Sequence, residues 1–229
     1  MRPRVIAALR GAALVACLLL PAAAPAQVGG SIVAESDYRF RGISLSGERP
    51  NLRLSLSYDH ASGAYGGLML TGIEVERGDR YAGVQAYAGI TGSAGAGLRW
   101  EAGGTLSRTV GRSPYDYGEA FAALLGEDWS LRLYVAPNYF GWGQRTLYAE
   151  FDRGWPLAPE WRLVGHLGAL QQLGGGAARR LDARLGVALQ VEAATGLQLA
   201  WLLSGREGPF PAPYEYRRST LLLSASYTF

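Results

Sequence analysis

Between residues 180 and 191 the chain alternates with period two: Arg180, Asp182 and Arg184 fall between Leu181, Ala183 and Leu185, and Val187, Leu189 and Val191 continue the apolar row. The same rhythm closes the sequence in Leu221, Leu223, Ala225, Tyr227 and Phe229. It also runs through residues 34–41, where Glu35, Asp37, Arg39 and Arg41 alternate with Ala34, Ser36, Tyr38 and Phe40. Such a period marks strands with two unlike faces. Twelve are predicted: 31–41, 51–60, 64–74, 81–90, 97–107, 115–125, 129–137, 146–154, 161–170, 180–191, 196–204 and 217–229. Each is near the ~9–11 residues with which a tilted strand crosses a bilayer. Ten or fourteen strands stay open, because 81–90 and 146–154 alternate poorly.

The predicted fold class is therefore all-β, a transmembrane antiparallel barrel. A soluble sandwich would show the same alternation with its apolar row buried and its charges outside. The two ends of the chain decide between them. Residues 1–26 read as a secretory signal, with Arg2, Arg4 and Arg10, an apolar core from Ala12 to Leu20, and a cleavage motif at Ala24-Pro25-Ala26. Leu14-Val15-Ala16-Cys17 also matches a lipoprotein box, but more leucines and alanines follow the cysteine where a polar tether belongs. At the other end an apolar strand runs to Phe229, as expected of a last strand that closes a wall against the first. Residues 27–229 are expected to form one barrel domain in the outer membrane of a Gram-negative bacterium. Its expected partners are outer-membrane lipids and, through Tyr227-Thr228-Phe229, the barrel-assembly machinery.

A charge on the lipid face costs ~2–4 kcal/mol near the midplane, so the charged rows are expected to face inward. The candidate lumen-lining residues are Glu35, Asp37, Arg39 and Arg41, then Arg99, Glu101, Arg132, Glu150, Asp152, Arg162, His166, Arg180, Asp182 and Arg184. Arg53, Asp59 and Glu119 share the register. A lumen carrying both signs is expected to be wet or salt-bridged. Links after even-numbered strands are short and those after odd-numbered ones longer, the barrel asymmetry of periplasmic turns and outer loops. The loops are too short for a separate plug domain. Trp129, Trp161, Tyr65 and Phe229 are expected in an aromatic belt at one rim, and Tyr115, Tyr139 and Trp142 at the other.

Three of the 22 basic residues, all arginine, lie in the signal, leaving 19 against 19 acids. The mature chain is formally neutral, which gives no reason to expect a nucleic-acid partner. The lone cysteine, Cys17, leaves with the signal, so no disulfide framework is expected.

The stretch Asp37-Tyr38-Arg39-Phe40-Arg41-Gly42-Ile43-Ser44, with Pro50 and then Gly63-Ala64-Tyr65-Gly66-Gly67, resembles the proteobacterial Gcw_chp family, also called TorF-family putative porins. The resemblance extends over the mature chain and its aromatic finish. It implies an outer-membrane barrel of porin type with no established substrate, and it carries no catalytic or ligand residues.

Arg39 and Arg41 at a mouth would attract anions through paired donors, unless Glu35, Asp37 and acids on neighbouring strands neutralise them. Gly42 permits the turn that follows. Histidine chemistry is limited to His60, at a turn, and His166, on a lumen face. No cysteine or histidine cluster has metal-ligand spacing, and Gly174-Gly175-Gly176 lacks the partners of a phosphate loop. Neither catalysis nor a cofactor is expected. The expected function is passive diffusion of small polar solutes or ions; the alternative is a closed structural or adhesive barrel whose outer loops bind a partner.

Overall fold

The computed structural model describes residues 27–76, 78–174, 178–205, 208–209 and 216–229. The signal segment, Gly175 and Gly176, and much of the 205–216 loop lie outside them. Fourteen strands follow one another: β1 (Gln27–Glu35), β2 (Arg39–Phe40), β3 (Ile43–Ser44), β4 (Asn51–Asp59), β5 (Ala64–Glu76), β6 (Asp79–Gly95) and β7 (Leu98–Thr109). Then come β8 (Tyr117–Leu125), β9 (Trp129–Ala136), β10 (Arg145–Ala158), β11 (Trp161–Leu173), β12 (Arg179–Glu192), β13 (Thr195–Ser204) and β14 (Ser219–Thr228). Twelve close into an antiparallel barrel, each beside its chain neighbours, with β14 sealed against β1; β2 and β3 form a separate hairpin.

The segment 81–90, with its weak alternation, lies in the longest strand, β6, at 17 residues. Its pattern is weak because its inward positions include Gly83 and Gly89, whose missing side chains make room for Ile73 and Tyr65. Four of the five turns at one end span two or three residues, and 60–63 spans four. At the other end β5 and β6 run so far out that only residues 77 and 78 join them, while 36–50 and 205–218 are long. The short-turn and long-loop ends are named accordingly below.

Outward rows are exposed and apolar: Leu52, Leu54 and Leu56 on β4, Leu181 and Leu185 on β12, and Leu197, Leu199, Trp201 and Leu203 on β13. Leu199→Arg, in the middle of β13, is expected to destabilise the barrel by ~2–4 kcal/mol in a bilayer. Its neighbour Gln198→Arg points inward and should leave the barrel folded. Chemical unfolding in lipid vesicles compares the two, and equal losses would overturn the assignment of faces. Gly186 is an unsuitable inward control, because a Cβ there would lie 2.6 Å from the Leu199 carbonyl oxygen.

Two sequence expectations are corrected. The first barrel strand ends at Glu35; it does not run on to residue 41. From Asp37 the chain turns into the lumen, so Tyr38 is buried inside, off the lipid face. The loops do supply a plug. Residues 36–50, with Tyr139 and Phe140 from the 137–144 loop, build an apolar cluster inside the long-loop half of the barrel. Ile43, Leu45, Ile73, Val75, Tyr117 and Leu170 belong to it, and buried Asp37, Ser44, Ser46 and Glu74 lie in the same half. Tyr139 is thus a core residue, Tyr65 packs on Tyr87 inside the barrel, and Tyr115 donates to Glu76 at 3.2 Å at the long-loop rim. Trp129, Trp161 and Phe229 do sit on outward positions at the short-turn end, with Trp155 and Tyr227 beside them.

Candidate functional site: a plugged lumen with a charged chamber

The plug is a hairpin whose tip is dictated locally. Arg39 pairs with Ser44 and Phe40 with Ile43, leaving Arg41-Gly42 as a two-residue turn. Both turn residues have positive φ, 48° and 83°. That is the requirement of the hairpin turn whose twist matches its strands, and glycine meets it without steric cost. A Cβ at Gly42 would lie 2.5 Å from Ser204 Oγ and 2.9 Å from Asp182 Cβ, so the tip seats directly on the β12–β13 wall.

Asp37 organises the base. Its Oδ1 accepts from Ser44 Oγ at 2.7 Å and Ser46 Oγ at 2.8 Å, and its Oδ2 accepts from Arg39 Nε at 2.5 Å. Arg39 also donates to Glu48 Oε1 at 3.0 Å and to the Arg217 carbonyl at 2.8 Å. Arg49 pairs with Glu74 of β5. Glu74 N–H donates to the Leu45 carbonyl, and a Cβ on Gly47 would meet the Glu74 carboxylate. Burial pushes the Tyr38 phenol up to about 12, so it stays neutral in this core.

At the tip, Arg41 reaches across to β8. Its Nη1 and Nη2 donate to Glu119 Oε1 and Oε2 at 2.7 and 2.8 Å, a bidentate pair with both side chains buried. The guanidinium lies 4.4 Å from the Tyr148 ring centroid and 4.9 Å from that of Tyr134, with Phe40 and Tyr139 at 4.7 and 5.5 Å. Arg39 and Arg41 therefore do not present an anion-attracting mouth. They are neutralised, by Asp37, Glu48 and Glu119; Glu35 instead faces Arg53 at 3.6 Å.

Beyond the tip lies a chamber of about 270 Å³, bounded by Arg41, Glu119, Tyr148, Glu150, Asp152, His166, Asp182 and Arg184. Strand register assembles it. β10–β11 pairing sets Asp152 opposite His166, and β11–β12 pairing sets His166 opposite Arg184. His166 Nδ1 is 2.8 Å from Asp152 Oδ1, and its Nε2 is 2.9 Å from Asp182 Oδ1. Tyr148 donates to both Asp182 oxygens at 3.4 Å. Arg132 donates to Glu101 at 2.9 Å and lies 3.6 Å from Glu150, while Arg184 lies 4.0 Å from Asp152. These two adjoining groups together hold four carboxylates, two guanidiniums and one imidazole.

The other predicted positions are spread along the bore. Arg162 pairs with Asp128 at 2.5 Å at the short-turn end, and Arg99 donates to Thr91 Oγ1 at 3.2 Å near the same rim. Arg180 is fully buried at the long-loop end, where a Cβ on Gly208 would touch its guanidinium. Sequence reasoning missed Glu48 and Glu74 as partners and the aromatic cage of Arg41. It also missed that His166 joins Glu150 and Asp152, which share one face of β10, because cross-strand register brings the histidine there. The alternation that placed all three on inward faces was the signal available.

No curated protein matches the chain in sequence at a significant level. Among solved structures it is similar to the KdgM porin, with 12% identity and a TM-score of 0.58, covering 88% of this chain and 99% of that one. The KdgM porin in complex with disordered oligogalacturonate gives 12% identity and 0.54, covering 90% and 99%. The COG4313 outer membrane channel from Pseudomonas putida F1 gives 14% and 0.51, covering 91% and 96%. At these identities the likeness is one of fold, an outer-membrane porin-like β-barrel. The profile of Gcw_chp, a bacterial family of unknown function, matches residues 20–228, nearly the whole sequence, and the chain belongs to that family.

Proposed function

We propose that the protein is an exported outer-membrane channel for passive diffusion of small polar solutes or ions, held narrow by its inward hairpin. In this reading residues 1–26 are removed on export, the long loops face the cell exterior and the short turns the periplasm. Twelve strands leave more bore than eight, whose side chains fill it. The observation that carries the reading is the charged chamber of about 270 Å³ inside the closed wall. A purely structural barrel has no need to place so many ionisable groups in its interior, where each must be compensated. The second reading, a closed structural or adhesive barrel, draws on the apolar cluster of the plug.

The chamber's four carboxylates face three guanidiniums and one imidazole. Removing the hairpin would take Arg39 and Arg41 away and leave an acidic lining that favours neutral or cationic solutes over polyanions. Oligogalacturonate, named with the KdgM porin, is an acidic polymer and a poor match to this lining. Planar-bilayer recording tests both points. Replacing residues 37–48 by a short glycine-serine linker is expected to raise single-channel conductance above that of the wild type, with reversal potentials displaced toward cations. The displacement should shrink between 0.1 M and 1 M salt, as the Debye length falls from ~10 Å to ~3 Å. Absence of conductance in both proteins, with the barrel folded, would favour the structural reading.

A further inference from the structure

We infer that Glu150, Asp152 and His166 form a site for a divalent first-row transition metal on the wall of the lumen. The inference rests on the local geometry alone and does not depend on the barrel conducting. One oxygen from each carboxylate and a ring nitrogen of His166 lie within 4.8 Å of one another. Ligands held at ~2.0–2.2 Å around a tetrahedral zinc lie roughly 3.3–3.6 Å apart, so the widest of these spacings closes by up to about 1.5 Å. The rotatable bonds of Glu150 can supply that closure.

The stronger observation is what stands behind the histidine. His166 Nε2 faces Asp182 Oδ1 at 2.9 Å, and the Asp182 side chain is only 3% exposed. Tyr148 donates to that same carboxylate, and its hydroxyl lies 3.3 Å from His166 Nε2. A buried carboxylate on the far ring nitrogen is the arrangement that fixes a metal-binding imidazole, setting its tautomer and raising its basicity. Asp182 accepts from Nε2, so the nitrogen open to a metal is Nδ1, whose proton is donated to Asp152 at 2.8 Å in the metal-free protein and would be displaced by the ion. Asp182 is therefore a positioning residue, and the three metal ligands are its neighbours on the wall.

Mixed imidazole and carboxylate donors suit zinc, cobalt or nickel better than magnesium or calcium, which take oxygen alone. The chamber gives the ion a path in and room for the water that completes its coordination. Two guanidiniums limit the affinity: Arg132 lies 3.6 Å from Glu150 and Arg184 lies 4.0 Å from Asp152. The metal has to displace those contacts.

The test uses untagged, refolded barrel in detergent, titrated with Co²⁺ and followed by its visible absorption, then displaced with Zn²⁺. One cobalt per chain is expected in the wild type and in His60→Ala, which removes the histidine at the short-turn end. His166→Ala and Glu150→Gln should abolish saturable binding. Asp182→Ala should weaken it roughly 10–100-fold, the range for loss of an outer-shell partner. Glu150→Gln keeps size and fold and so stands in should His166→Ala fail to refold, which heat-modifiable gel mobility reports. Unchanged binding in folded Glu150→Gln, or no saturable binding in the wild type, overturns the site.

Discussion

Arg41→Ala should loosen the tip of the hairpin in the lumen while leaving the barrel wall intact. The substitution strands Glu119, a carboxylate buried in the interior with its bidentate partner gone. Removing one member of a buried ion pair costs ~3–5 kcal/mol, chiefly because the other charge stays uncompensated. The guanidinium also leaves a cage of four aromatic rings, worth ~0.5–2 kcal/mol per desolvated contact. The turn itself rests on Ser204 and Asp182, while the flanking Phe40 and Ile43 stay packed in the apolar cluster and hold the base of the hairpin. The twelve-strand ladder does not involve Arg41, so its heat-modifiable mobility should persist. Two readouts should change: larger conductance in bilayers, and faster proteolysis within residues 37–50. The paired substitution Arg41→Met with Glu119→Gln, which leaves no bare charge, should be milder. A folded Arg41→Ala protein with wild-type conductance and protection would show that the tip pair does not hold the plug.

Deleting Tyr227, Thr228 and Phe229 should abolish assembly. The β1–β14 seam is short, five paired positions from Ser31↔Thr228 to Glu35↔Ser224, whereas β1 and β4 share nine. Phe229 extends it by a reciprocal pair of backbone hydrogen bonds with Gly30, at 2.8 and 3.0 Å. Its ring covers Gly30, where a Cβ would come within 2.6 Å of it, and stacks with Tyr227 at 6.3 Å on the outer face. The truncation would strip the Phe229, Thr228 and Tyr227 partners from Gly30, Ser31 and Ile32. Unpaired backbone groups facing hydrocarbon cost several kcal/mol each, and a barrel has no alternative partner to offer. Export is expected to proceed, followed by aggregation or degradation in the periplasm. Normal amounts of heat-modifiable barrel in membrane fractions would refute the role given to the last three residues.

What the sequence determined by itself is the wall. Period-two alternation is a local property, imposed residue by residue by the pleat and by lipid on one side. It is therefore written into Leu181 to Val191 and Leu221 to Phe229 without reference to any distant contact. The twelve-strand closure was legible on that basis, and the Gcw_chp resemblance separately, from the motif Tyr38-Arg39-Phe40-Arg41-Gly42. The tertiary structure decided what fills the wall. Residues 34–41 alternate as a crossing strand would, yet beyond Glu35 the alternation serves a hairpin with one side on Asp37 and its tip on Glu119. Period two cannot separate these cases, since an inward hairpin is itself made of strands. The 78 residues that separate Arg41 from Glu119 are bridged only by the closed barrel, and the meeting of His166 with Glu150 and Asp152 depends on it too. Inward orientation is a one-strand property that a sequence displays. Which inward groups touch depends on stagger between strands and on the loops folded between them, and those exist only once the barrel has closed.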